Sequence, residues 1–141
     1  GHSPVAETKG LVPEALFIQE VHAEMEHLSS PRRTPLDSVE VPNISLEAYV
    51  AMVQKVLNLE EDVYVHALGL IKKLETAHPE LGPTNYNVHR LALLCLMLAH
   101  KFIDDVPFDN KSFALVGCVR LRDLNRLEIW LLKKLDWNCA V

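Results

Sequence analysis

Paired cysteines, glycine-rich loops and long apolar runs are missing from this sequence, and each absence removes a class of protein. The three cysteines, Cys95, Cys118 and Cys139, are odd in number and include no C-x-x-C pair. That pattern supports neither a disulfide framework nor a zinc site, so reduced, intracellular thiols are expected, in the nucleus, the cytoplasm or both. Only five glycines occur, and none sits in a phosphate-cradling loop. There is no G-x-S-x-G elbow, no H-E-x-x-H and no clustered acid pair, so nothing points to catalysis, a cofactor, a metal or a small-molecule substrate. The longest apolar run, Leu91 to Ala99, is about half the roughly 18 residues a membrane-spanning helix needs. Positive charge is short too: 14 Lys and Arg against 19 Asp and Glu give a net charge of -5. A domain that grips a nucleic-acid backbone carries a basic face, so no nucleic-acid partner is expected.

What the chain does have is apolar content, 49% of 141 residues, enough for one domain with its own core. Gly1-His2-Ser3 reads as an expression remnant opening a tail over 1–12. The stop after Asn138-Cys139-Ala140-Val141 suggests that flanking segments of a longer protein are absent. Helical periodicity predicts a first helix over 13–28, with Phe17, Val21, Met25 and Leu28 on one face and Pro13 in its first turn. Residues 29–44 hold Pro31, Pro35 and Pro42 and read as an exposed linker. Ser45 is expected to cap a helix running to Leu57. The next spans about 61–77, with Val65, Leu68, Ile71 and Leu74 facing inward. A central helix over 87–105, apolar nearly all round, precedes a short one at 111–116 and a last one at 121–135.

Polar residues break this pattern at two places. In the last helix Leu121, Leu124, Leu127, Leu131, Leu132 and Leu135 form one stripe, and Glu128 falls inside it. A carboxylate there is either a satisfied internal ion, paired with Lys101 or Arg90, or a charge held ready for a partner. Lys101 follows the apolar run of the central helix, where the plain reading is a helix-end lysine paired with Asp105. The seven histidines, including His22, His27, His89 and His100, lack metal-ligand spacing and read as solvated helix faces.

Three pieces of sequence together resemble a cyclin box. The first is His89-Arg90 followed by an apolar helix ending in Lys101-Phe102-x-Asp104-Asp105. The second is Asn110-x-x-x-Ala114-x-Val116-Gly117, and the third is Leu124-Asn125-Arg126-Leu127-Glu128 leading to Leu131-Leu132, Leu135 and Trp137. The resemblance covers residues 45–141, about seven tenths of the chain. It is nearest in detail to the P/U-type cyclins, the subfamily that includes those of the phosphate-starvation pathway. It implies an all-α fold, a five-helix cyclin box preceded by an extra N-terminal helix. It also implies a non-enzymatic regulator that binds and activates a cyclin-dependent protein kinase, in cell-cycle or phosphate signalling. In that family the matching lysine and glutamate contact the kinase around its αC helix. The implied kinase-binding residues here are Lys101, Phe102, Glu128, Leu132 and Trp137. A cyclin-fold scaffold or transcription-factor core that activates no kinase is the alternative.

The sequence departs from the family in places. Met52 and Lys72 stand where many cyclins carry an internally paired arginine and aspartate. Both charges are gone together, so no orphan ion is expected. Leu115 and Cys118 replace residues that are usually lysine and glycine in the P/U type. In the linker, Ser30-Pro31-Arg32-Arg33 and Thr34-Pro35 are proline-directed motifs, which makes Ser30 and Thr34 possible phosphorylation sites.

Overall fold

Pro13 opens the first helix, and apolar-faced helices follow along the chain, two of them with a side-chain cap at the N-terminus. The computed structural model describes residues 12–141; the expected expression remnant and most of the expected tail lie outside them. The described residues form α1 (Pro13–Glu24), α2 (Leu46–Leu57), α3 (Glu61–Ala77), α4 (Val88–Ile103), α5 (Asn110–Val116) and α6 (Leu121–Lys134). A short 3₁₀ turn at Pro79–Leu81 links α3 to the approach of α4. The fold is all-α, a helical box with an additional helix in front.

Local chemistry sets the boundaries. The Ser45 hydroxyl accepts from the Ala48 N–H and caps α2 as expected. The Asp109 carboxylate caps α5 by accepting from the Ser112 N–H. Asn58, in the left-handed region, ends α2. α4 is the axis of the domain: every residue from Leu91 to His100 is buried. Leucine, alanine and methionine on all its faces let α2, α3, α5 and α6 pack around it. Cys95, at the middle of α4, is fully buried, and burial pushes its thiol up, which marks it as a core residue.

α1 packs on α3 through Phe17 and Val21, both 1% exposed. Phe17 meets Tyr64 edge-on, with ring centroids 5.9 Å apart. The helix stops at Glu24, not at Leu28, because the backbone turns extended at Met25 to pair with a distant segment. Glu26 bridges to Thr84, and the backbone of Leu28 is held by the Asn85 amide. Residues 25–38 therefore form a strap pinned across the entry to α4, while Ser29, Ser30, Arg33 and Val39 to Val41 are exposed as expected of the linker. Tyr86 donates to the Ser29 carbonyl, Ser38 N–H donates to the Tyr86 carbonyl, and Leu36 is buried completely. Prolines kept this segment out of helix; Asn85, Tyr86 and Arg32 fixed it to the domain.

Other expectations are corrected by the same packing. Val65 is 57% exposed, because the inward face of α3 is Val63, Tyr64, Ala67, Leu70, Ile71 and Leu74. Leu121 lies exposed at the start of α6. His89 and His100 are buried, not solvated. His89 bonds through Nε2 to the Ile44 carbonyl at 2.6 Å. His100 Nε2 accepts from the Phe108 N–H at 3.0 Å, and its ring stacks on Phe108. His22 pairs with Glu47 at 2.7 Å.

Gly117 and Cys118 make the turn between α5 and α6. A Cβ on Gly117 would sit 2.4 Å from Leu93 Cδ2, so only glycine lets this turn lie against α4. Cys118, in the place of the usual glycine, is held at φ 55°, a conformation that disfavours a side chain. Lys72, standing where an aspartate is common, reaches Glu20 of α1 at 3.7 Å.

Candidate functional site

α4 and α6 pack together, and the last turn of α4 and the middle of α6 bring Lys101 and Glu128 to the same spot. The Lys101 ammonium donates to Glu128 Oε2 at 2.6 Å. Lys101 also donates to Asn110 Oδ1. Asn110 in turn donates to Glu128 Oε1 at 2.9 Å and to Asn125 Oδ1 at 2.8 Å. The Lys101–Asp105 pair is not made, because α4 ends at Ile103 before Asp105 can return to its face. Arg90 is not the partner of Glu128; it donates to the Asp37 carbonyl at 3.2 Å and secures the strap.

The pair sits at the surface and not in the core. The Glu128 side chain is 15% exposed and that of Lys101 31%. Each Glu128 oxygen has one intramolecular partner and room for another, and Lys101 uses two of its three donors. The internal reading of Glu128 holds: its charge is paired within the chain, by Lys101 and not by Arg90.

Around this pair lies a groove of about 370 Å³ lined by Leu98, Lys101, Phe102, Glu128, Leu132 and Trp137, with Asn138 and Cys139 at its end. All five residues singled out as kinase-binding line it. Phe102 and Trp137 are 54% and 63% exposed, a large aromatic area to leave in water. Trp137 is placed by an unusual backbone. Asp136 and Trp137 both have positive φ, 53° and 57°, and the Trp137 N–H closes on the Leu132 carbonyl at 2.8 Å. Two side-chain-bearing residues in this region cost about 1–2 kcal/mol each, strain of a kind found at functional sites.

The C-terminal residues complete the groove by folding onto α3. Lys73 donates to the carbonyls of Asn138 and Ala140 at 2.7 and 2.8 Å, and His66 Nε2 bonds the Cys139 carbonyl at 2.6 Å. The same imidazole stacks on Phe102, centroids 4.6 Å apart. Burial pushes the Cys139 thiol up; Lys73 opposes this and Glu128 adds to it, which makes the sulfur a neutral, apolar wall. Asn110 and His66 are the residues that sequence reading missed. Asn110 opens the Asn110-x-x-x-Ala114 motif, and its signal is a polar residue just inside a capped helix. His66 and Lys73 share a face of α3 with Gly69, and that small, polar stripe was the trace of the segment lying on it.

The chain matches the family model described as Cyclin over residues 13–139. It is 36% identical over 103 residues to Cyclin-U1-1 of Arabidopsis thaliana, covering 73% of this chain and 49% of that protein. To Cyclin-P1-1 of Oryza sativa subsp. japonica it is 38% identical over 97 residues, covering 69% of this chain and 37% of that protein. Cyclin-U4-3 of Arabidopsis thaliana aligns over 129 residues at 27% identity, covering 89% of this chain and 59% of that protein. The chain thus spans between 37% and 59% of the length of these three relatives.

Proposed function

This chain belongs to the cyclin family, and we propose that it is the regulatory subunit of a cyclin-dependent protein kinase, gripping the kinase αC helix with the Lys101–Glu128 groove. The observation that carries this reading is a half-buried ion pair with unused bonding capacity, flanked by exposed Phe102 and Trp137. Aromatic anchors around a small set of polar contacts are the composition of a protein–protein hot spot.

An active kinase needs the lysine of its third strand paired with a glutamate on αC. A surface that binds αC only in its inward position raises the population of that state. Lys101 and Glu128 would supply a donor and an acceptor at fixed separation, suited to backbone groups or side chains on αC. Phe102, Leu132 and Trp137 would supply the apolar area. The kinase performs the chemistry and the cyclin contributes position. Its setting is intracellular, in the nucleus, the cytoplasm or both, with a protein partner and no nucleic acid, membrane or small-molecule substrate.

Reconstitution tests the reading. Candidate cyclin-dependent kinases are purified without a cyclin and assayed on a Ser-Pro peptide with and without this chain. A cognate kinase gains roughly tenfold or more in rate. If the chain binds such kinases tightly and activates none, it is a scaffold and the activating role is wrong.

A further inference from the structure

We propose that Ser30 is a phosphorylation site for a proline-directed protein kinase and that the neighbouring Thr34, despite its own Thr-Pro sequence, is shielded by the fold. The two sites differ in what the structure does with each hydroxyl. Ser30 is exposed and lies between two fixed points of the strap. Before it, Asn85 holds the Leu28 backbone and Tyr86 holds the Ser29 carbonyl. After it, Arg32 donates to the carbonyls of Glu80 and Gly82 and pairs with Glu26 at 3.1 Å. Pro31 has no N–H and biases Ser30 to extended backbone, the form in which a substrate enters a kinase cleft. Arg33, three residues after Ser30, is exposed and available to be read.

Thr34 is closed into a turn. Its hydroxyl donates to Asp37 Oδ2 at 2.8 Å and accepts from the Leu36 N–H at 3.3 Å. Its N–H donates to the same carboxylate at 2.7 Å, and the Asp37 N–H returns to the Thr34 carbonyl at 3.0 Å. To present Thr34, the chain would have to break this turn and disturb Leu36, which is completely buried.

The step is ordinary phosphoryl transfer with ATP as co-reactant. The Ser30 Oγ forms a bond to the γ-phosphorus as the bond to the bridging oxygen breaks. ADP leaves, and the hydroxyl proton passes to the kinase's catalytic carboxylate. The product adds roughly -1.5 to -2 charge beside Arg32 and Arg33, where it competes with Glu26 for Arg32.

The test needs no knowledge of the kinase that the groove binds. The folded chain and a synthetic peptide of residues 26–38 are each incubated with Mg-ATP and a proline-directed kinase that is active without a cyclin. Phosphosites are then mapped over time. Labelling of the folded chain is expected at Ser30 and is lost in Ser30→Ala. The ratio of Ser30 to Thr34 labelling is expected to be about tenfold or more higher in the folded chain than in the peptide, from protection of the turn. An unlabelled Ser30 in the folded chain overturns the site, whether or not the peptide is labelled. An equal ratio in chain and peptide overturns the shielding of Thr34. Either result leaves the kinase-activation reading to stand or fall by its own assay.

Discussion

Asn85 clasps the backbone of Leu28, 57 residues earlier, with both arms of its amide: Oδ1 accepts from the Leu28 N–H at 2.8 Å and Nδ2 donates to the Leu28 carbonyl at 3.0 Å. This pairing turns a proline-rich connector into a structural strap and sets the end of α1. Asn85→Ala removes both bonds and leaves two half-buried backbone groups without partners. The expected loss is about 1–3 kcal/mol of stability, read as a lower denaturation midpoint with an unchanged slope. A midpoint equal to the parent's would mean that the strap contributes nothing to folding.

Cys118 holds a positive φ of 55° in the turn that leads into α6. Glycine adopts this conformation without strain, so Cys118→Gly is expected to stabilise the domain by about 1 kcal/mol, read as a higher Tm. Gly117→Ala is expected to do the reverse, since a Cβ there meets Leu93 at 2.4 Å.

His100 ties α4 to the loop that leads into α5. Its Nε2 accepts from the Phe108 N–H, so the ring is neutral with its proton on Nδ1. Burial holds its pKa below the ordinary 6.5, while Asp104, 4.0 Å from Nδ1, opposes this. The unfolded chain therefore takes up a proton near pH 6.5 that the folded chain refuses. This contribution to stability is complete above that pH and is lost as the pH falls from there towards the folded-state value. His100→Gln keeps an acceptor and removes the titration. Its Tm is expected to fall less steeply than the parent's between about pH 7.5 and 5.5. Parallel curves would remove His100 from the acid response.

The helices were legible because burial imposes a period on the sequence and caps punctuate it. α4 was plain from its unbroken apolar run, and α2 from the Ser45 cap. The strap was not legible: an amide pairing with backbone 57 residues away leaves no period. Val65 was misplaced because an apolar residue at helical spacing fits two faces, and packing against α1 and α4 chose the other. Half of the site could be read in the same way. Lys101 and Glu128 were visible as charges on apolar stripes, and the family resemblance gave them a role. His66 and Asn110 were not visible as site residues, because their roles exist only once α3, α5 and the last residues of the chain meet.

Asn110 joins the two charges of the site without itself lying among the groove-lining residues. Asn110→Ala is expected to weaken kinase binding about fivefold, the worth of roughly one hydrogen bond, with helix content unchanged. Calorimetric titration of the cognate kinase reads this directly; an unchanged affinity would limit Asn110 to a structural role.

The most direct test of the account is the affinity of a cognate cyclin-dependent kinase for the parent chain, Lys101→Ala and Glu128→Ala, with circular dichroism recorded on each. Both side chains are at the surface edge of the core, so both variants are expected to keep their helical spectrum and a cooperative melt. Each is expected to lose about 100-fold or more in affinity, because the charge left behind in the interface loses its opposite charge and keeps only the Asn110 amide as an intramolecular partner. Variants that stay folded and bind the kinase as tightly as the parent would contradict the assignment of the Lys101–Glu128 groove as the kinase-binding site.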